Sequence, residues 1–325
     1  MSEVKRHEVA ADEDGMRLDK WFKIHFPQVT FAYLNKLTRT GQVRVGAGRV
    51  KTNTRLAKGQ EIRVPPLAFD KRPADAPKEN IAPLTPRERE LFHSMLLLED
   101  QDIFVLNKPS GFAVQGGTKT HMHLDGLLMG LGVELGERPL LVHRLDRDTS
   151  GVIVIAKRRA VAASLGKLFA TRTVKKTYWA VVKGVPSPAQ GKIDVALIKA
   201  RSEEGDRMRA SKPGEEEDEQ RAITQYAVLD KAGKLASWVS LKPLTGRQHQ
   251  LRAHMNHIGT PILGDNKYGG DIDLLEGIAN RLHLHARRIQ FPHPRGGVVD
   301  VTAPLPPHMT ETFATLGFDA GRFDD

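Results

Sequence analysis

Six prolines fall between Pro65 and Pro86, and no other feature limits the fold of this 325-residue chain so strongly. Proline has no backbone N–H to donate and fixes φ, so neither a helix interior nor a central strand can run through such a block. The stretch reads as a linker, and the chain must fold as separate bodies on either side of it. The length agrees, being too great for one minimal domain and comfortable for two. The expected organisation is an N-terminal extension over 1–14, a small unit over 15–66, the proline-rich linker over 67–90 and a large domain over 91–318. Hydrophobic residues make up 40% of the chain, enough for a core in each body.

In the small unit, RLDKWFKIHF spaces Leu18, Trp21 and Phe22 on one helical face, and FAYLNKLTRTG repeats the pattern with Tyr33, Leu34 and Leu37. Gly41 fits a helix C-terminus. QVRV alternates like a strand, GAGRV offers a glycine turn, and EIRVPP closes the unit as another strand. This small α/β unit is strongly basic. Residues 17–63 hold eleven Lys/Arg but only Asp19 and Glu61 as acids, so nearly all of the chain's net charge of +10 can be assigned to it. A basic enzyme with no polymer partner would satisfy the total charge; its concentration in one segment favours a polyanion, most often nucleic acid.

The large domain mixes its elements. RERELFHSMLLLED, after Pro86, reads as a short amphipathic helix, DIFVLNKPSG as a strand and turn, VIVIAK as a buried strand and VAASLGKLF as a helix. KKTYWAVVKG, SWVSLKPLTG and HLHARRIQF read as strands, and RQHQLRAHMNHIG as a helix ended by Gly259. The acid-rich stretch RSEEGDRMRASKPGEEEDEQ is an exposed loop or ribbon. Strands and helices do not alternate as regular βαβ units. The expected class is α+β, with a mixed, largely antiparallel central sheet and flanking helices.

Several functions are excluded or disfavoured. The chain has no cysteine, so it forms no disulfide or thiolate zinc site, and this suits a cytoplasmic location. No stretch approaches the roughly 18 apolar residues of a membrane helix, and the N-terminus does not read as a secretory signal. No GxGxxG opens a helix, no GxxxxGK[ST] occurs, and Ser110 lies in KPSG rather than in a GxSxG elbow. His249, His254 and His257, and then His283 and His285, are clustered, but without HExxH or an acid at ligand spacing no metal is expected.

HRLDRDTSG poses the sharpest question, because it sets Asp146 between Arg144 and Arg147 at the mouth of an apolar strand. One reading is a turn residue paired with a neighbouring arginine. The other is a carboxylate nucleophile held ionised by cations. Glycosidases use two carboxylates at a set separation, and here Asp148 reads as a turn former with no other acid as partner.

Three blocks in order resemble the RluA-type pseudouridine synthases, which isomerise uridine in RNA: HRLDRDTSG, KKTY with Tyr178, and LTGRQHQLRAHMNHIGTPILGD ending at Asp265. NKPSG (107–111) and HLHA (283–286) fit as well, and together the blocks span most of residues 98–305. The small unit resembles an S4 RNA-binding domain. The resemblance implies the pseudouridine synthase fold and no cofactor or metal. It implies large-subunit (23S) ribosomal RNA as partner. No membrane is expected from the hydropathy, and a monomer is the default. It assigns Asp146 as nucleophile, Tyr178 as a uracil-stacking and proton-transfer group, and Arg252 as the cation paired with Asp146. Arg144 would enter the RNA stack as the nucleotide flips out. Arg147, Lys176, Arg247, His249 and Gln250 would contact substrate or support the site, with Leu251 walling the pocket. Arg17, Lys36, Arg39 and Arg44 would contact RNA from the small unit. The same fold could also serve a non-catalytic RNA-binding or ribosome-assembly factor, or an isomerase of transfer RNA.

Overall fold

The chain divides into two units, Met1–Asn80 and Ile81–Asp325. The computed structural model describes residues 4–67, 82–116, 122–171, 173–200, 207–212, 214–215, 219–269 and 277–323. Among these, no helix is long and apolar enough to cross a membrane.

In the first unit, helix α1 (Leu18–His25) buries Leu18, Trp21 and Phe22, and α2 (Phe31–Arg39) buries Leu34 and Leu37. The Thr30 hydroxyl caps α2 by accepting from the Tyr33 N–H at 3.2 Å. Strand β1 (Lys5–Glu8), β2 (Arg44–Val45), β3 (Gly48–Arg49) and β4 (Glu61–Val64) form an antiparallel sheet in the order β1-β4-β2-β3. Residues 5–8, expected in an extension outside the unit, are thus its edge strand, paired from Lys5↔Val64 to Glu8↔Glu61. KRHE is polar throughout and carries no alternation to announce a strand; its backbone pairs along β4 while Val9, just beyond, enters the core.

The second unit begins earlier than the proline pattern suggests. Helix α3 (Pro86–Ser94) starts on Pro86 itself, inside the stretch expected to be linker. At the first helical position a missing N–H costs nothing. Thr85 and Glu88 close a capping box, with Glu88 accepting from the Thr85 N–H at 2.9 Å. Residues 68–81 of the proline-rich stretch lie outside the described residues, as do 201–206, 213 and 216–218 of the acid-rich stretch. The apolar run after Ser94 leaves the helix and forms β5 (Leu96–Glu99).

There follow β6 (Ile103–Lys108), α4 (Leu124–Leu135), β7 (Leu140–Leu141), β8 (Ser150–Ala156), α5 (Arg159–Ala170), β9 (Lys175–Lys183), β10 (Gln190–Asp194), β11 (Leu197–Ala200) and β12 (Arg207–Ala210). The chain continues through β13 (Ile223–Ala232), β14 (Ala236–Pro243), α6 (Gln250–His257), β15 (Leu284–Pro292), β16 (Val298–Thr302) and α7 (Pro307–Leu316). The main sheet runs β10-β13-β14-β9-β15-β8-β6-β5, with β16 on β15 and β7 on β8. Among the described strands of this sheet, only β15 and β8 pair in parallel; the other pairings are antiparallel. The fold is therefore the mixed α+β arrangement that the pattern predicts. The acid-rich stretch carries β12, which forms a ribbon with β11.

Strand β8 is buried along its whole length. Ile153 and Ile155 pack on one side with α3 and α4, and Val152, Val154 and Ala156 on the other with Val161 and Leu165 of α5. Leu251 and Met255 of α6 pack on Ala180, Val182 and Leu241. Tyr178 touches the clusters under both α4 and α6. The cleft described below opens where β8 and β9 begin and β14 gives way to α6. Ordered chain continues past 318, where Phe323 packs edge-on against Trp238 at 5.2 Å.

Candidate active site

The loop before β8 is clamped from both sides. The Lys108 side chain is wholly buried, and its ammonium donates to the carbonyls of Pro109 (2.9 Å), Phe112 (2.9 Å) and Arg147 (2.8 Å). Burial pushes this ammonium down to about 7, against the pull of Asp148 and Asp146. The Ser110 hydroxyl donates to the Asp148 carbonyl at 2.8 Å, and the Gly111 N–H to the Arg147 carbonyl at 3.0 Å. At the strand end, Ser150 Oγ meets His285 Nδ1 at 2.9 Å. Gly151 has φ +108°, and a Cβ there would stand 2.2 Å from the Ala286 carbonyl oxygen, so the loop enters the sheet only through glycine. The Val154 N–H donates to His143 Nε2 at 2.9 Å, and burial pushes this imidazole down to about 3.

Asp146 stands on this loop with its side chain 26% exposed. Its neighbours in sequence do not pair with it. Arg144 donates to the Gln115 side chain at 3.1 Å and Arg147 to the Gly111 carbonyl at 3.0 Å. The cation that faces Asp146 is Arg252, whose Nη1 lies 3.5 Å from Oδ2. His249 Nε2 lies 3.8 Å from the same oxygen. The pairing of a turn aspartate with an adjacent arginine is therefore replaced by a contact across 106 residues.

Arg252 is itself held by Asp265, Nε to Oδ2 at 2.8 Å and Nη2 to Oδ1 at 2.7 Å. The Asp265 carboxylate is 0% exposed, and the N–H groups of Lys267 and Tyr268 also donate to it, each at 3.1 Å. Burial lowers the Arg252 pKa, but the hydrogen bonds and charge of Asp265, with Asp146 adding, raise it further. The fork of the guanidinium is thus spent on Asp265, leaving Nη1 toward Asp146. Gly264 makes this possible: with φ +68°, a Cβ would fall 1.8 Å from the Arg281 carbonyl oxygen.

Gln250, expected among the RNA contacts, is buried with all four hydrogen-bonding positions filled. Its carbonyl accepts from the Thr245 hydroxyl (2.7 Å) and the Arg247 N–H (3.0 Å). Its amide donates to the Ile223 carbonyl (2.9 Å) and Thr224 Oγ1 (3.0 Å). Its work is to shape the turn into α6, and nothing is left for a ligand. Arg247 is exposed beside it, donating to the Arg221 carbonyl at 3.1 Å.

A cleft of about 1170 Å³ brings together Arg144, Asp146, Arg147, Lys176, Tyr178, Arg247, His249, Gln250, Leu251 and Arg252. Asp146 is the sole acid among its lining residues, against Arg144, Arg147, Lys175, Lys176, Lys242, Arg247 and Arg252. Such a lining suits a polyanion. Leu145, Leu251 and Leu284 give it apolar wall. Burial, with Asp146 adding, raises the Tyr178 phenol above its ordinary value, so the group stays protonated; its hydroxyl makes no hydrogen bond among the described residues. Lys176 is lowered by burial and lies 5.4 Å from the Phe169 ring centre.

The remaining expected contacts lie in the first unit. Lys36 and Arg39 are exposed on α2, Arg44 is exposed on β2, and Arg17 pairs with Asp19 at 2.5 Å. Among the clustered histidines, His254, His283 and His285 are structural. His254 bonds Thr224 Oγ1 and the Val195 carbonyl, and His283 bonds Thr312 Oγ1 and the Leu263 carbonyl. No group of three or more His, Cys, Asp or Glu among the described residues is set to hold a metal ion.

The family model for RNA pseudouridylate synthase matches residues 102–257, from just before β6 to the end of α6. The ribosomal large subunit pseudouridine synthase C of Haemophilus influenzae is 35% identical over 302 residues, 91% of this chain and 89% of that protein. Its Escherichia coli K12 counterpart is 35% identical over 311 residues, 93% of each. Among solved structures, human RNA pseudouridylate synthase domain containing 4 superposes with a TM-score of 0.61 at 29% identity, over 72% of this chain and 98% of that one.

Proposed function

The chain belongs to the RluA-type RNA pseudouridylate synthases, and from that premise we propose that it isomerises specific uridines of large-subunit ribosomal RNA, with Asp146 as nucleophile. The observation that carries this reading is the single carboxylate of the cleft, facing Arg252 Nη1 at 3.5 Å inside a ring of cations. The names of the relatives, similar along nearly their whole length, support the choice of RNA.

Pseudouridine formation breaks the N1–C1′ bond, turns the uracil and joins C5 to C1′; N1 gains a proton and C5 loses one. Nothing is oxidised or reduced. A nucleophile must hold either the sugar or the base while the other moves. Asp146 can do so by attacking C1′ or C6, or by stabilising a cationic sugar on the way to a glycal. Its rigid loop supports this, because a nucleophile fixed by Lys108, Ser110 and Gly151 needs little reorganisation at the moment of reaction.

Tyr178 supplies a ring on which uracil can stack and a phenol that stays protonated until the reaction calls on it. Leu145, Leu251 and Leu284 help keep water from the detached base. Arg144 is exposed and, among the described residues, bound only to a neutral amide, so it can exchange Gln115 for RNA as the target nucleotide leaves the stack. Arg147, Lys176, Arg247 and His249 line the path of the substrate. The basic first unit acts as an S4-like RNA-binding module, adding affinity through Arg17, Lys36, Arg39 and Arg44. The protein works as a cytoplasmic monomer.

Unmodified transcripts of large-subunit ribosomal RNA and of transfer RNAs, incubated separately with the protein and mapped by carbodiimide blocking and primer extension, test the substrate. New stops in the ribosomal transcript alone are expected. Stops confined to transfer RNA would overturn the choice of substrate. Tight binding with no stops in either would favour a non-catalytic assembly factor.

A further inference from the structure

His249 is the one non-glycine residue with positive φ among the described residues, at φ 50° and ψ 20°. A side chain held in the left-handed region is strained, and such strain persists only where the surroundings impose it. Here the saturated Gln250 side chain fixes the turn, and the strained backbone turns the His249 ring toward Asp146.

The partners of that ring determine its tautomer. His249 Nδ1 lies 2.9 Å from the Tyr268 hydroxyl oxygen. That oxygen accepts the Met208 N–H of β12 at 2.7 Å. The phenolic hydrogen is then free for Nδ1, so Nδ1 is an acceptor and the neutral ring carries its hydrogen on Nε2. Nε2 is the nitrogen 3.8 Å from Asp146 Oδ2. The ring is kept neutral by burial; Asp146 and Asp265 favour its protonation, and Arg252 and Lys267 oppose it. Tyr268 also lies beneath the Arg252 guanidinium, 5.1 Å from ring centre to Cζ, and meets His249 edge-on at 5.6 Å. One tyrosine therefore supports both donors that face the carboxylate. Both face Oδ2, and Oδ1 makes no hydrogen bond among the described residues.

Building on Asp146 as nucleophile, we infer that Met208 N–H, Tyr268 and His249 form a relay that holds Asp146 by Oδ2 and leaves Oδ1 as the attacking oxygen. His249 and Tyr268 are positioning residues in this scheme, not catalytic ones. The gap of 3.8 Å closes to a hydrogen bond when the substrate shuts water out of the cleft. Because Met208 belongs to the β11–β12 ribbon, the placement of that ribbon is felt at the nucleophile.

Two measurements on the full chain test the relay. Nitrogen-15 NMR of the histidine-labelled protein should find His249 protonated on Nε2; a hydrogen on Nδ1 would overturn the assignment. In single-turnover assays on the ribosomal transcript, Tyr268→Phe and His249→Ala should each slow isomerisation on the order of tenfold, with RNA affinity unchanged in Tyr268→Phe. The double variant should be no slower than His249→Ala, because Tyr268 acts through His249. Multiplying losses, or Tyr268→Phe at the wild-type rate, would overturn the relay.

Two further substitutions separate positioning from mere backbone support. His249→Gln can present an amide N–H where Nε2–H stood, whereas His249→Asn suits the left-handed backbone better but cannot reach. The relay expects Gln to restore more activity than Asn; the reverse order would overturn it. Should the wild-type protein isomerise no uridine, the reading of the site itself falls, and the nitrogen spectra still decide the tautomer.

Discussion

Asp265→Asn removes one charge and alters no volume, and its effect can be worked from the geometry. The new amide keeps an oxygen for Arg252 Nη2 and for the Lys267 and Tyr268 N–H groups. It sets an NH₂ group against Arg252 Nε, where Oδ2 had accepted at 2.8 Å. A donor then faces a donor, and a guanidinium only 7% exposed loses its compensating charge. Breaking a buried pair from one side costs about 3–5 kcal/mol, and the retained oxygen argues for the lower end. For a unit of this size, about 3 kcal/mol lowers the melting temperature by about 6–12 °C. Asp194→Asn is the control, because its pair with Lys192 is exposed, screened by solvent and contributes little. Catalysis should suffer as well. Freed from Asp265, Arg252 can turn its whole fork onto Asp146 and engage the oxygen needed for attack. Misplacement by about 1 Å costs on the order of 10²-fold in kcat, while RNA affinity, set by exposed cations, should hold. Calorimetry and single-turnover kinetics on the ribosomal transcript read the two effects. An Asp265→Asn protein that melts with the wild type and turns over at its rate would refute the view that Asp265 aims Arg252.

Burial also makes the large unit acid-sensitive. His143 is pushed down to about 3, and His283 and His285 to about 4, so the unfolded chain binds protons that the folded one refuses between pH 6.5 and about 4. Their stabilisation is complete above pH 6.5 and is lost as pH falls; at pH 5 each group costs about 2 kcal/mol, and a melting temperature unchanged from pH 7 to pH 5 would contradict this. Tyr178→Phe should keep the melting temperature and RNA binding, since its hydroxyl is unpartnered, while kcat falls by about 10²–10⁴ if the phenol moves a proton; undiminished kcat would leave only its stacking role. Replacing Arg17, Lys36, Arg39 and Arg44 together by Ala should flatten the slope of log affinity against log salt by about three, without changing which uridines react. An unchanged slope in filter binding would remove the first unit from the RNA interface.

Strong local pattern makes much of the fold legible. The helix faces of α1 and α2 and the buried β8 were legible because their periodicity is strong and their packing agrees with it. Other features leave no such mark, for physical reasons. KRHE forms β1 through backbone pairing, which leaves no mark on side-chain pattern. Pro86 reads as a breaker although a helix can begin on it. Asp146 sits between two arginines in sequence, but its loop turns both away, and its cation arrives from α6. The resemblance named Arg252, yet its stronger partner Asp265 lies beyond the helix, visible only as the end of an ILGD block. Lys108 looks like a surface lysine in a turn; only the fold shows that three carbonyls surround its ammonium. Gln250 sits in a motif rich in plausible ligands, and its saturation cannot be seen without Thr224, Ile223 and Thr245 around it.

Release of hydrogen from C5 tests the role of Asp146 most cleanly, because C5 must lose its hydrogen when it bonds to C1′. Large-subunit ribosomal transcript labelled with tritium at uracil C5 would be incubated with the wild-type protein and with Asp146→Ala, following tritium in water and any free uracil. The wild-type protein should release tritium with all uracil retained in the RNA, and Asp146→Ala should release none while still binding the transcript. Tritium release by Asp146→Ala at the wild-type rate, or free uracil in place of tritiated water, would contradict the assignment of Asp146 as the nucleophile of an RNA uridine isomerase.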